Sequence, residues 1–342
     1  MRKVKEKGSK GISYFVDKYR IFILFAILLI ISIAFAPNFF NAFNLTSIMK
    51  GASLYIFLAI GMTIVMICGQ LDLSVQSVMN LGAVLVIGLR TWSGFGWIWS
   101  ILIAIAAGAA MGLINGLIVT KGKIHSFITT LGTMTITSGL VFLYTHGGSI
   151  STEGDFALGD LMDQTLIPLF TLRVIITVVA VLVFSLFLNR TRFGRAFYMV
   201  GGNKDTAWLA GINTNRKITT AFIISGSMAA LGGALFAISQ NSAVPNMGTK
   251  GISPLMVAIA ATIIGGTSMA GGKGGVFKSF VAVLTIMIIF NALTCFGTGY
   301  EVQVFANGLV LAAVVLYEAL AIYRADKIKG IRTELLKEVQ NK

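Results

Sequence analysis

The chain has 342 residues, of which 56% are hydrophobic and only 12% charged, with a mean hydropathy of +0.85 and a formal net charge of +14. A soluble domain carries about 25% charged residues, so this composition excludes an ordinary water-facing globule and fits a surface that faces lipid. The Lys and Arg residues fall in short segments between apolar stretches, with no basic face interleaved with aromatics. That pattern speaks for membrane orientation and against nucleic acid as a partner.

A helical span needs roughly 20 apolar residues. Ten candidates follow in chain order: Tyr19–Ala36, Ala52–Gly69, Leu73–Leu89, Gly96–Thr120, Ser126–Thr145, Leu166–Leu188, Ile218–Ser239, Ser253–Gly265, Val276–Thr294 and Val302–Ile322. The first follows a basic stretch but ends at Pro37-Asn38-Phe39-Phe40 without a small-x-small cleavage site, so it reads as a retained span rather than a signal peptide. Leu73–Leu89 is weak because it carries Ser74, Gln76, Ser77 and Asn80. Ser253–Gly265 is too short to cross straight and runs into glycines. Short, glycine-interrupted segments often line transport pathways.

With the N-terminus placed in the cytoplasm, the alternating cytoplasmic segments hold 23 of the 27 Lys and Arg. The other side keeps Lys50, Arg90, Arg173 and Lys250, and its longest loop, His146–Thr165, has acids (Glu153, Asp155, Asp160, Asp163) and no Lys or Arg. The expected fold is therefore an all-α polytopic membrane protein of about ten transmembrane helices with both termini cytoplasmic. It forms one domain over residues 1–342, with a basic tail 1–18, a cytoplasmic loop 189–217 and a tail 323–342. Ala59-Ile60-x-x-Thr63-Ile64 is echoed by Ala258-Ile259-x-x-Thr262-Ile263, a similarity that either an internal repeat or chance explains.

Several chemistries have no carrier. Gly265-Gly-Thr-Ser-Met-Ala-Gly-Gly-Lys273-Gly fails the phosphate-loop pattern, with Thr267 at the first glycine position and Gly274 in place of Ser or Thr. His125 and His146 are isolated, and Cys68 and Cys295 form neither a disulfide framework nor a metal set. No cofactor or metal is expected on this chain. The acids Asp72 and Glu318 read as close to the cytoplasmic side and Glu301 to the outer side, so no mid-span proton relay is evident. No nucleophile–base pair suggests catalysis on lipid. A stand-alone secondary carrier or channel remains the alternative to a driven importer.

The most informative loop is Thr191-Arg-Phe-Gly-Arg195 through Gly211-Ile-Asn. Gly201 and Gly202 break the chain, Asn203 can cap a turn or two of helix over Lys204–Ala210, Asp205 suits its first turn, and Gly211 can end it. The product is a short, small-faced helix with Ala207 and Ala210, exposed to the cytoplasm. Here the sequence resembles the permease subunits of bacterial ATP-binding-cassette importers for monosaccharides of the ribose, galactose and xylose type. Leu71-Asp72-Leu73-Ser74-Val75, Gly112-Leu-Ile-Asn115-Gly116-Leu, Phe127-Ile-Thr-Thr130-Leu-Gly132-Thr133 and the glycine-rich run Gly265–Gly275 carry the resemblance in order along nearly the whole chain.

The resemblance implies a second permease, identical or paralogous, a cytoplasmic ATPase that holds ATP and magnesium, and an extracytoplasmic solute-binding protein. It assigns Gly201, Gly202, Asn203, Asp205, Ala207, Ala210 and Gly211 to ATPase coupling. The sequence departs from the family at Gln70 and Gln76, at Ile124-His125-Ser126 and at Ile252–Met256, which leaves the solute open; other members of the wider family carry autoinducer-2 or nucleosides. Candidate pathway residues are Gln70, Asp72, Asn80, Asn115, Thr129, Thr130, Asn291 and Asn307. For each of them, hydrogen bonding between helices is the competing role. Gly108, Gly112, Gly232 and Gly233 are expected to let helices approach closely.

Overall fold

A computed structural model describes residues 2–152, 154–167, 169–247 and 253–299 and part of 301–316, with side chains from residue 19 onward. Its elements in chain order are α1 (Arg2–Phe35), α2 (Ala42–Ile67), α3 (Val75–Ser93), α4 (Trp97–Thr120), α5 (Ser126–Thr145), β1 (Ile150–Ser151), α6 (Ala157–Asp163), β2 (Thr165–Ile167), β3 (Phe170–Thr171), α7 (Leu172–Arg190), α8 (Arg192–Gly202), α9 (Lys204–Leu209), α10 (Thr214–Ser239), β4 (Ser242–Ala243), α11 (Pro254–Ile264) and α12 (Val276–Cys295).

Seven of these helices (α2, α3, α4, α5, α7, α10 and α12) are long and apolar enough to cross a bilayer, and Tyr19–Phe35 and α11 are shorter apolar helices. The fold is a polytopic helical bundle. Nine of the ten expected spans thus have an apolar helix at their position, and most of the tenth, Val302–Ile322, lies outside the described residues. Boundaries moved where turn chemistry overrode hydropathy. α2 begins at Ala42, ten residues before the expected start, because Asn41 caps it by accepting from Asn44 N–H. Conversely, α7 begins only at Leu172, since Thr165–Ile167 and Phe170–Thr171 pair antiparallel as β2 and β3.

Helices that are apolar all round must be either buried or in lipid. Both fates occur. Of the most apolar window, 78% is buried in α2 and 67% in α10, but only 28% in α4 and α7. α2 and α10 form the centre, and α4, α5 and α7 turn residues such as Ile98, Leu143 and Leu186 outward.

The seam between α4 and α10 is built from glycine. A Cβ on Gly108 would lie 2.3 Å from Gly226 O, one on Gly226 2.1 Å from Gly108 O, and one on Gly112 2.2 Å from Phe222 O. Backbone therefore meets backbone, as expected for association in lipid, where contact rather than the hydrophobic effect holds helices together. Gly233 does the same against Met79 O, while Gly232 makes room for the Phe57 side chain.

The expected sidedness of the loops is consistent with the ion pairs. Lys50 pairs with Asp163 at 2.6 Å, Arg173 reaches the same carboxylate at 3.2 Å, and Arg90 pairs with Asp155. Three of the four bases assigned to the sparsely charged side thus meet acids of the His146–Thr165 loop, while Lys250 lies outside the described residues. A further tie at this end was not foreseen: β1 pairs antiparallel with β4, joining the α5–α6 connection to the exit of α10.

Candidate translocation core and coupling hairpin

Between α2 and α3 the chain breaks for seven residues, and the break carries the polar centre of the molecule. Gly69 takes φ +70°, the left-handed region that favours glycine, and Leu71 N–H and Leu73 N–H donate to Ser126 Oγ (3.2 Å) and Thr130 Oγ1 (3.0 Å) of α5. Side chains thereby satisfy backbone groups that no helix satisfies, the condition for irregular backbone inside a bilayer. Asp72 is fully buried. Its Oδ1 accepts from Ser74 N–H (3.0 Å) and Ser74 Oγ (2.6 Å), and its Oδ2 from Ser225 Oγ of α10 (2.8 Å). Asn115 of α4 donates to Ser74 Oγ at 2.9 Å. Four helices, α3, α4, α5 and α10, are fastened to one seven-residue break.

This corrects the sequence reading of Asp72. Ser225 stands eleven residues into α10, about 16 Å along its axis at 1.5 Å per residue. The carboxylate therefore lies well inside the bundle rather than at its rim. It does not cap α3 with its own side chain at the first helical turn, because Ser74 occupies the N-cap position.

The other pathway candidates divide. Asp72, Asn115 and Thr130 come together, and Asn115 Oδ1 and the neighbouring Thr129 Oγ1 are buried without a partner. Asn80 donates to Pro245 O at 3.3 Å and leaves its buried Oδ1 unpartnered. Pro245 belongs to a cavity of about 700 Å³ at the end of the bundle that carries the acidic loop, lined also by Phe142, Ser149, Phe236, Gln240 and Asn246. Gln70 lines a second cavity, of about 540 Å³, at the basic end.

Asn291 is elsewhere. It exchanges two 2.8 Å hydrogen bonds with Asn44 and so clamps α12 to α2. Asn307 lies outside the described residues. Sequence reasoning missed Ser74, Ser126, Ser225 and Asn44. Single hydroxyls in apolar text carry no signal of their own, because most bond back to their own helix, as Thr63 does to Ala59 O and Thr262 to Ala258 O, both at 2.6 Å. These last two bonds give the echoed Ala-Ile-x-x-Thr-Ile segments the same local geometry in α2 and α11.

At the basic end, α8 and α9 form a hairpin across the base of α2. Asn203 ends α8 and caps α9, accepting from Thr206 N–H at 2.9 Å, and Gly211 closes α9 at φ +78°, as the residue types imply. The helix runs on through Gly201 and Gly202 rather than breaking there. Gly201 is required for another reason: a Cβ on it would fall 1.8 Å from Ile67 O and 2.7 Å from Gly272 N. Gly272 N–H itself donates to Ile67 O at 2.9 Å, and Tyr198 Oη donates to Gly274 O at 3.1 Å. The glycine-rich run is thus a backbone cradle that holds α8 against the end of α2, immediately before the break that carries Asp72.

Ala207 needs correction as a contact residue. It is fully buried in the apolar core and has no surface to offer a partner. The exposed face of α9 belongs to Trp208 and Leu209, at 69% and 77% exposure, flanked by Lys204, Asp205 and Ala210. Together Trp208 and Leu209 make an adjacent, exposed apolar pair on α9, the kind of surface a partner can cover.

Comparison with known proteins adds three observations. Residues 44–319 match the family described as the permease component of the branched-chain amino acid transport system. The chain is 34% identical to the ribose import permease protein RbsC of Bacillus subtilis (strain 168) over 86% of its own length and 90% of the relative's, and 34% identical to that of Escherichia coli (strain K12) over 86% and 92%. It is 36% identical to the autoinducer 2 import system permease protein LsrC of Yersinia pseudotuberculosis over 86% and 81%. No solved structure matches it.

Proposed function

From the premise that this chain belongs to the permease-component family of bacterial import systems, we propose that it moves a monosaccharide or a similar small polar solute across the cytoplasmic membrane by alternating access. Ten spans with both termini and the basic end in the cytoplasm accord with the positive-inside distribution of Lys and Arg. The cavity at the acidic-loop end, about 700 Å³ with Ser149, Gln240 and Asn246 among its lining, is of the size and polarity that suits a small hydroxylated solute. A solute-binding protein docks at that end, and a second permease, identical or paralogous, completes the pathway. ATP and magnesium act on a separate ATPase that grips the α8–α9 hairpin.

The observation that carries this reading is the line of contact from the hairpin inward. A partner that pulls on Trp208 and Leu209 moves α9. α8 is locked to Ile67 and Gly272 through Gly201, where no side chain separates the backbones. Ile67 ends α2, and the next seven residues contain Asp72, which accepts from Ser225 of α10 and from Ser74, the residue before α3 that in turn accepts from Asn115 of α4. Displacement at the membrane surface is thus delivered to the polar break between the two cavities. Packed elements with two discrete arrangements, rather than elastic deformation, are the usual means of such switching.

The test is the double substitution Trp208→Ser, Leu209→Ser in the native assembly. Both side chains are exposed, so the permease should remain folded in detergent while the ATPase no longer co-purifies and solute uptake falls to background. Normal uptake and co-purification would overturn the docking role. Uptake by the purified chain alone, driven by an ion gradient, would favour the secondary-carrier alternative.

A further inference from the structure

The cavity at the basic end is lined by Gln70, Lys123, His125 and Lys204, brought together from three places: the α2–α3 break, the α4–α5 turn and the start of α9. Its volume is about 540 Å³. Neither lysine has a carboxylate partner among the described residues. Lys123 is held in the left-handed region at φ +56°, a conformation uncommon for a non-glycine residue. His125 Nδ1 accepts from Phe127 N–H at 3.3 Å, which leaves Nε2 to carry the ring proton as a donor. Two cations and two donors thus face one space that holds no acid.

The same turn leads directly into an apolar surface. Ile124, which lines the cavity, is 45% exposed, and Phe127 and Ile128 one turn further into α5 are 46% and 64% exposed. A polar, cationic recess that opens beside an exposed apolar helix face matches an amphiphile with an anionic head and a hydrocarbon tail.

We propose that this recess binds the phosphate headgroup of an anionic phospholipid of the inner leaflet, with an acyl chain lying along Phe127 and Ile128. The proposal rests on the reading that the basic end is cytoplasmic. Because Lys204 opens α9, a lipid held there also braces the hairpin that the ATPase grips, and ties the protein's coupling element to the charge of the membrane.

The experiment is native mass spectrometry of the full-length chain in mild detergent, titrated with phosphatidylglycerol or phosphatidylcholine. The wild-type chain should retain phosphatidylglycerol in preference to phosphatidylcholine. The double variant Lys123→Asn, Lys204→Gln should weaken phosphatidylglycerol binding by about thirtyfold, at roughly 1 kcal/mol for each lysine, while Lys273→Gln, Lys278→Gln, which removes the same charge elsewhere at this end, should not. Equal loss in both variants, or no loss in the first, overturns the site. So does binding of inorganic phosphate as tight as that of the lipid, which would mark a free-anion site. The orientation is checked separately by labelling Lys123→Cys in intact cells. Labelling from outside would overturn the topology whatever the lipid result, and lipid retention needs neither ATPase nor solute.

Discussion

At the acidic-loop end, Asp163 takes both Lys50 and Arg173, Arg90 takes Asp155, and a two-residue ladder joins β1 to β4. At the basic end, none of Lys121, Lys123, Arg192, Lys204, Lys273 and Lys278 has an acidic partner among the described residues. What holds that end together is backbone packed on backbone at Gly201, Ile67 and Gly272. One end meets its electrostatic needs internally and is closed by side chains. The other is closed by shape and leaves its charge and two large apolar side chains facing outward. The two ends thus differ in what fixes them: paired charges at one, close backbone contact at the other.

The comparison can be broken at either end. The largest effect is expected from Gly201→Val, which places a branched side chain where even a Cβ would overlap Ile67 O. Overpacking of this kind costs about 3 kcal/mol at the upper end of its usual range. We expect a lower unfolding temperature in detergent together with loss of uptake; an unchanged transition would mean that α8 is not seated on α2.

Next comes Asp163→Ala, which leaves Arg173, only 3% exposed, without its counter-charge. Stranding a buried charge costs 3–5 kcal/mol at full burial. Because Asp163 is itself partly exposed, we expect about 2 kcal/mol by the same measurement, and full recovery in Asp163→Glu would sharpen the assignment to charge. Asp155→Ala, at a pair whose two members are about one-third exposed, should cost less than about 1 kcal/mol. A larger loss there than at Asp163 would reverse the ranking of the two pairs and show that exposure does not govern them.

Much of the architecture could be read from the residues because the bilayer imposes few solutions. Apolar runs of about 20 residues must be helices, and the bias of Lys and Arg orders their ends. The helix caps were legible for a similar reason: Asn203 and Gly211 have local jobs that their own chemistry performs. The site was legible only in part. Asp72, Asn115 and Thr130 stand out as polar residues in apolar text and do meet, but Asn291 stands out equally and meets only Asn44. Ala207 illustrates the same limit. Its small size suits both an exposed docking face and a buried one, and only the roll of α9 against the bundle separates them, turning Ala207 inward and Trp208 outward.

By itself, then, the amino-acid sequence determined the properties that depend on local composition: a helical membrane protein, the caps of its short cytoplasmic-loop helix at Asn203 and Gly211 and, through blocks of matching residues, its family. The tertiary structure decided what depends on depth and rotation. It raised Asp72 about 16 Å along α10, seated Gly201 on a backbone carbonyl, and gathered Lys123, His125 and Lys204 around one recess. The physical reason is that periodicity is nearly silent in helices apolar on every face. Which residues share a level and a side is then set by close contact between helices, and contacts between residues as far apart as Asp72 and Ser225 leave no trace in either local stretch.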